Sequence, residues 1–290
     1  MALYAAFHRG PGDGLAALAA LAAPAGGGEA DGGGGADGSD AATVRWLTGV
    51  CLGAQGHYRR AAEILVPPGT EPDSLAASTR ASHLRQLARH AEAESWDTRA
   101  VALAPVAAHP AAAMADGLVG LVADAVGQAD TVAAANRLAT AGAHVRTLDP
   151  AAHWRARVRL AWVSAEHAML CDDPALARTH ALDAVGWSRS ADAPRHLAKS
   201  LLVLGVAGHL LSRPDAAGVL ADAARRAEHL GVPTLVWPAR LVLARELWPS
   251  DPDGSRRARA QVDRVVRAIA AELAPEEARQ FLATQESAPA

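Results

Sequence analysis

The chain has 290 residues, half of them hydrophobic, and a formal net charge of -3. That length accommodates one or two domains or a single helical array, and the charge supplies no general attraction to nucleic acid or acidic lipid. Two cysteines, Cys51 and Cys171, lie far apart with no C-x-x-C and no zinc-ligand spacing, so neither a disulfide framework nor a structural zinc site is expected.

Much of the apolar half is alanine, and only 4% of residues are aromatic. Alanine-faced helices approach closely and bury little area each, so the core should be extended and thin, anchored by seven tryptophans. Lys199 is the lone lysine among cations that are otherwise arginine, a bias read as that of a GC-rich coding sequence.

In chain order, the apolar start is cut by Arg9, Gly10, Pro11, Gly12 and Asp13, which argues against a secretory signal. No run approaches the ~18 apolar residues of a membrane span, and a cytoplasmic chain is expected. Leu15, Leu18 and Leu21 mark one edge of a short helix. Ala25 to Asp40 is glycine-dominated and acidic, and reads as a flexible loop. Residues 1–40 therefore form a short helix plus loop, 41–284 the folded unit, and 285–290 a disordered tail.

From Ala41 onward the pattern is helical, without alternating strand runs or hairpin signals. Helices are expected near 41–54, 57–66, 73–87, 90–104, 110–126, 129–147, 151–171, 174–190, 194–211, 214–230, 234–248, 253–273 and 275–284. Their starts are punctuated by proline, whose missing N–H would be unpaired in a first turn anyway. Asp149-Pro150, Asp173-Pro174 and Asp251-Pro252 add acidic caps, and Pro194, Pro214 and Pro275 continue the series. The connections are short, which makes neighbouring helices antiparallel.

Small residues recur with intervals of seven, five and seven: Ala81, Ala88, Ala93, Ala100; Ala165, Asp172, Ala177, Ala184; and Gly205, Ser212, Ala217, Ala224. Gly49, Gly56, Ala61 and Gly120, Gly127 are partial copies. Seven residues are about two helical turns, so the spacing describes two helices in close contact across a tight turn.

With Leu84 and Pro105 added to the first copy, and Leu52, Tyr58 and Leu65 to the partial copy at Gly49, the chain resembles the tetratricopeptide repeat family. Between the presumed equivalents Ala61, Ala93, Val132, Ala177 and Ala217 the intervals are 32, 39, 45 and 40 residues, so the helices are longer than in standard repeats. Asp97 stands where the family usually has a large apolar residue, and the segment from Glu272 through Phe281 fits no repeat and could cap the end of the stack. The resemblance implies an all-α fold: a right-handed superhelical solenoid of antiparallel helix pairs, with the first helix of each pair lining a concave groove. It points to Trp46 and Val50; Ser78, Ser82, Arg85 and Gln86; Arg159, Trp162, Glu166 and Met169; and Leu202, Val206 and His209 as inward-facing.

No metalloprotease, nucleophile-elbow or phosphate-loop motif is present. His83 and His90 are seven apart with a turn between them, and His167, Cys171, Asp172 and Asp173 form a possible ligand group at a helix end, but histidines on partly buried helical faces are the plainer reading. The expectation is a non-catalytic repeat protein without cofactor or metal. It would hold a protein or peptide partner, neither nucleic acid nor membrane, through Trp46, Ser82, Arg85, Gln86, Arg159, Trp162, Glu166 and His209. A sensor for a small molecule or peptide, acting on a separately encoded regulator, is the alternative, and an enzyme on a helical array a third reading.

Overall fold

The structure, a computed structural model, describes residues 37–286. The expected first helix, most of the glycine-rich loop and the last residues lie outside the described residues. The described chain is all-α, with thirteen helices. These are α1 (Asp37–Ala54), α2 (Tyr58–Leu65), α3 (Ser74–Gln86), α4 (His90–Leu103), α5 (Pro110–Gly127), α6 (Thr131–Thr147) and α7 (Trp154–Leu170). They continue as α8 (Pro174–Ser190), α9 (Pro194–Leu210), α10 (Ala216–His229), α11 (Pro233–Leu247), α12 (Pro252–Ala271) and α13 (Pro275–Glu286). A 3-10 turn, Ala104–Val106, follows α4.

The prolines act as expected at α5, α8, α9, α11 and α12, each of which opens on one. Aspartates complete several starts: the carboxylates of Asp73, Asp130, Asp173 and Asp251 accept from backbone N–H groups three residues on, at 2.8–2.9 Å. Pro150 and Pro214 depart from the pattern, because α7 and α10 begin later, at Trp154 and Ala216. Asp149 instead caps a turn, accepting from the Ala152 N–H at 2.7 Å.

Consecutive helices pack as antiparallel pairs, and each odd-numbered helix from α1 to α9 also packs on the next odd-numbered one. The odd helices therefore form an inner layer and the even helices an outer one. The seven-five-seven spacing resolves into two different physical roles. Ala81, Ala93, Ala100, Ala165, Ala177 and Ala184 have no accessible surface, as close helix contact requires. The second position is not a packing site. Gly56, Ala88, Asp172 and Ser212 hold positive φ, and Ala88, Asp172 and Ser212 are exposed.

At each of these residues the helix ends in a left-handed turn, and the next N–H reaches back five residues. Arg89 N donates to Leu84 O at 3.0 Å, Asp173 to Ala168 at 2.9 Å, and Arg213 to Gly208 at 3.0 Å. The spacing thus combines helix contact with helix termination. In the degraded copy the turn falls at Ala129 (φ 57°), not Gly127. Gly127 serves close approach instead, since a Cβ there would overlap the His90 ring.

The last helices do not cap an open stack; they pack back on the first. Val262, Val266, Ile269 and Phe281 share one buried cluster with Tyr58 and Leu87. A Cβ on Gly56 would come within 2.7 Å of Ile269, so glycine at this turn also makes room for α12. Thr234 Oγ1 donates to Ala54 O at 2.9 Å, joining α11 to α1, and Arg89 pairs with Glu277. The two ends of the array meet. Among the described residues one helix, α5, is long and apolar enough to cross a membrane by length and composition, which the sequence reading had not anticipated. Half of its span is buried inside the fold, and it carries the buried acids Asp116 and Asp124.

Candidate functional site

The inner helices line a cavity of about 390 Å³. All six odd helices from α1 to α11 contribute to it, and α4 adds His90. Of the residues expected to face inward, Val50, Ser78, Ser82, Arg85, Gln86, Arg159, Trp162 and Glu166 lie on this wall, with Gln86 the most exposed of them, whereas Met169, Leu202 and Val206 do not. Trp46 and His209 are not among the lining residues. Trp46 is buried with Leu47, Val50, Cys51 and Leu65, donates its Nε1–H to Thr79 Oγ1 at 2.9 Å, and has the Arg155 guanidinium 5.9 Å from its ring. His209 is hydrogen-bonded to Glu246 on α11.

Three cations of the wall, Arg85, Arg155 and Arg159, are held by acids placed behind it. Arg85 donates through Nη1 to Asp97 and, at 2.8 Å, to Asp124. Both side chains of that acid pair are wholly buried. This explains Asp97 at a position the family fills with a large apolar residue: it meets Arg85, and Gly120 permits the approach because a Cβ there would overlap the carboxylate. One turn apart on α7, Arg155 and Arg159 both donate to Asp116, Arg155 at 2.6 Å. Lys199 lies 3.7 Å from Glu166 and 4.4 Å from the centroid of Trp162, whose Nε1–H donates to Ser200 Oγ at 2.9 Å. His196 stacks on Trp162 at 5.6 Å and meets Trp154 edge-on at 4.9 Å.

Burial and charge shift the ionisation of this cluster. Burial pushes the Asp97 carboxyl up to about 7 against the pull of Arg85, and raises Asp124 as well, so the pair favours retention of a proton. Asp116 behaves oppositely. Desolvation works against its charge, but Arg155 and Arg159 together hold it below the usual carboxylate range. Desolvation lowers Lys199, helped by Arg159, Arg85 and Arg195, and it brings Arg195 down to about 10. His83 is buried and held neutral, pushed down to about 3 by desolvation and then by Arg80, Arg195 and Arg85.

Sequence reasoning missed His83, His90, Arg155, Arg195, His196 and Lys199 on the wall. A signal for two of them was present: Arg195 and Lys199 continue the Leu202 and Val206 face toward the start of α9 at helical spacing. The lone lysine, attributed to coding bias, is a cavity residue. Arg155 shares its face with Arg159, and His83 and His90 flank the turn at Ala88.

The remaining chemical candidate has a local account. Cys171 Sγ lies 3.6 Å from His167 Nε2 in an exposed position, Asp172 occupies the left-handed turn, and Asp173 caps α8. Cys51 is buried, and desolvation raises its thiol, disfavouring the nucleophilic thiolate. The arginines of α12 are solvated: Arg256 pairs with Asp253, and Arg257 lies 3.7 Å from Asp251. Among the described residues no group of three or more His, Cys, Asp or Glu side chains is arranged to hold a metal ion. Comparison with protein-family models finds none that matches the chain, and a search of curated proteins finds no similar one.

Proposed function

We propose that the protein is a non-catalytic helical-repeat receptor of the tetratricopeptide type, which takes a small molecule or short peptide into its central cavity and reports occupancy to a separately encoded regulator. The cavity carries this reading. Its volume of about 390 Å³ falls in the range typical of small-ligand sites, roughly 300–1,000 Å³. Its wall draws on every inner helix, so a guest would touch all the helix pairs whose mutual packing sets the shape of the array. A long open groove would suit an extended protein segment better, and closure of α12 and α13 onto α2 and α3 works against that form of partner binding. The tetratricopeptide assignment, with the right-handed superhelix it implies, rests on the recurring spacing and on the packing of odd helices upon one another. A cytoplasmic setting without cofactor, nucleic-acid or membrane partner belongs to the same proposal.

Ser82 offers a direct test, because it lines the cavity and a bulky side chain there would occupy it. Thermal unfolding of the full chain is measured against a panel of small anions, cations, neutral molecules and short peptides. A ligand present at 100 times its Kd adds about 2.7 kcal/mol of stability. At least one should raise Tm, and Ser82→Trp should abolish the rise. A panel that leaves Tm unmoved, or a shift that survives Ser82→Trp, overturns the receptor assignment.

A further inference from the structure

Building on the receptor reading, we propose that the cavity selects a small organic anion, whose carboxylate or phosphate is received by Arg85, Arg159 and Lys199 while its apolar body lies against Val119, Val126 and Val163. Three observations carry this, beginning with how the arginines are anchored. Arg85 and Arg159 are tied to protein through Nη1 alone, on carboxylates at most 4% exposed that stand behind the wall. Among the described residues, the Nη2 and Nε groups of both side chains make no hydrogen bond. A guanidinium fixed from behind in this way is oriented in advance, with donors left for an incoming acceptor.

The charge of the wall is the second. Among the described residues it carries Arg85, Arg155, Arg159, Arg195 and Lys199 against a single carboxylate, Glu166. Adding the three aspartates behind it still leaves cations in excess, and the Asp97–Asp124 pair favours keeping a proton. The cations also depress one another's protonation, so an anion placed among them removes a repulsion as well as adding attractions. A cationic guest would face the reverse.

The third is the apolar part of the wall. Val119, Ala123 and Val126 on α5 adjoin Val163 on α7, next to the helices that carry Arg85 and Arg159. Val119 and Val163 are buried, and Ala123 and Val126 supply the accessible part of this wall, which an inorganic ion would leave wetted and an organic anion covers.

The test uses a series of equal chain length on the full protein at constant ionic strength: hexanoate, hexyl phosphate, hexan-1-ol and hexylamine, with inorganic phosphate as the bare head group. Tryptophan fluorescence, to which Trp162 beside Lys199 contributes, gives the affinities. Hexanoate or hexyl phosphate should bind saturably and at least tenfold more tightly than the alcohol, the amine or inorganic phosphate. The tighter of the two identifies the head group. Arg159→Gln, which leaves Asp116 its partner Arg155, and Lys199→Gln should each weaken that binding tenfold or more without changing the circular dichroism. Arg256→Gln, on the solvated face of α12, should leave it unchanged.

Equal or tighter binding of hexan-1-ol or hexylamine overturns the anion assignment and leaves the receptor reading standing. Inorganic phosphate binding as tightly as hexyl phosphate overturns the organic part. Failure of all five probes overturns the inference, whereas the receptor reading falls only with the broader panel and Ser82→Trp.

Discussion

His83 is wedged where a Cβ on Gly53 would overlap its ring, and it packs 5.6 Å from Tyr58. Its Nδ1 is buried without a hydrogen-bond partner, so charging it would place an unsolvated cation among Arg80, Arg195 and Arg85. Folding therefore lowers its pKa from 6.5 to about 3. The stability this contributes is fully present above the unfolded value and is lost as pH falls toward 3. Asp97 runs the other way. Raised from 3.8 to about 7, it contributes stability that is complete at low pH and lost as pH rises through 7. Between about pH 4 and 6.5 the two offset each other, each at about 1.4 kcal/mol per unit. His83→Gln should remove one side of this balance. Its stability deficit against the native chain should shrink by on the order of a few kcal/mol between pH 7 and pH 4.5, measured by urea unfolding. Parallel pH profiles for the two proteins would show that His83 is not held neutral.

At the scale of the element, the repeated unit is legible because termination and contact both depend on residue size. Alanine in the middle of the pairs is fixed by the wall of the next helix, and the sequence reading gave it that role. The second small residue was expected both to lie at the turn and to allow close packing, and alanine or serine there gives no signal that only the turn role applies. Only the backbone angles separate the two roles. Ala88, with φ 59° and an exposed side chain, carries the strain of a Cβ in the left-handed region. Ala88→Gly should therefore raise stability by about 0.5–1 kcal/mol, read as an increase in the denaturation midpoint at unchanged slope. The same substitution at Ala93, inside α4 and without accessible surface, should lower it by about 1 kcal/mol or more. Equal effects at the two sites would refute the division of roles.

For the whole molecule, the decisive feature is the return of α12 and α13 onto the first helices. Phe281, 1% exposed, is the largest of the described side chains that are almost wholly buried, and it sits in that seam. Phe281→Ala should cost about 3–5 kcal/mol, the range for an aromatic removed from a packed core. Amide exchange should quicken together in α2, α3, α12 and α13, though they lie at opposite ends of the chain. Loss of protection confined to α13 would mean that this helix is only a cap. Closure also explains why the candidate site was partly legible. Ser82, Arg85, Arg159, Trp162 and Glu166 follow from helix periodicity once one face is known to look inward. Trp46 shares the periodic logic, but its bulk fills the α1–α3 contact, and His209 lies ten residues beyond Lys199 on α9, nearly three turns past the cavity, beside Glu246.

The sequence alone determined the helices and their succession as neighbouring pairs, because proline starts, acidic caps and small-residue spacing act within some forty residues of chain. Tertiary structure decided that the array closes, which aspartates stand behind which arginines, and that the only lysine faces a cavity. The closure depends on side chains far apart in sequence, such as Tyr58 with Phe281 or Arg89 with Glu277, whose meeting follows from the placement of many successive helix pairs. No local pattern encodes that placement.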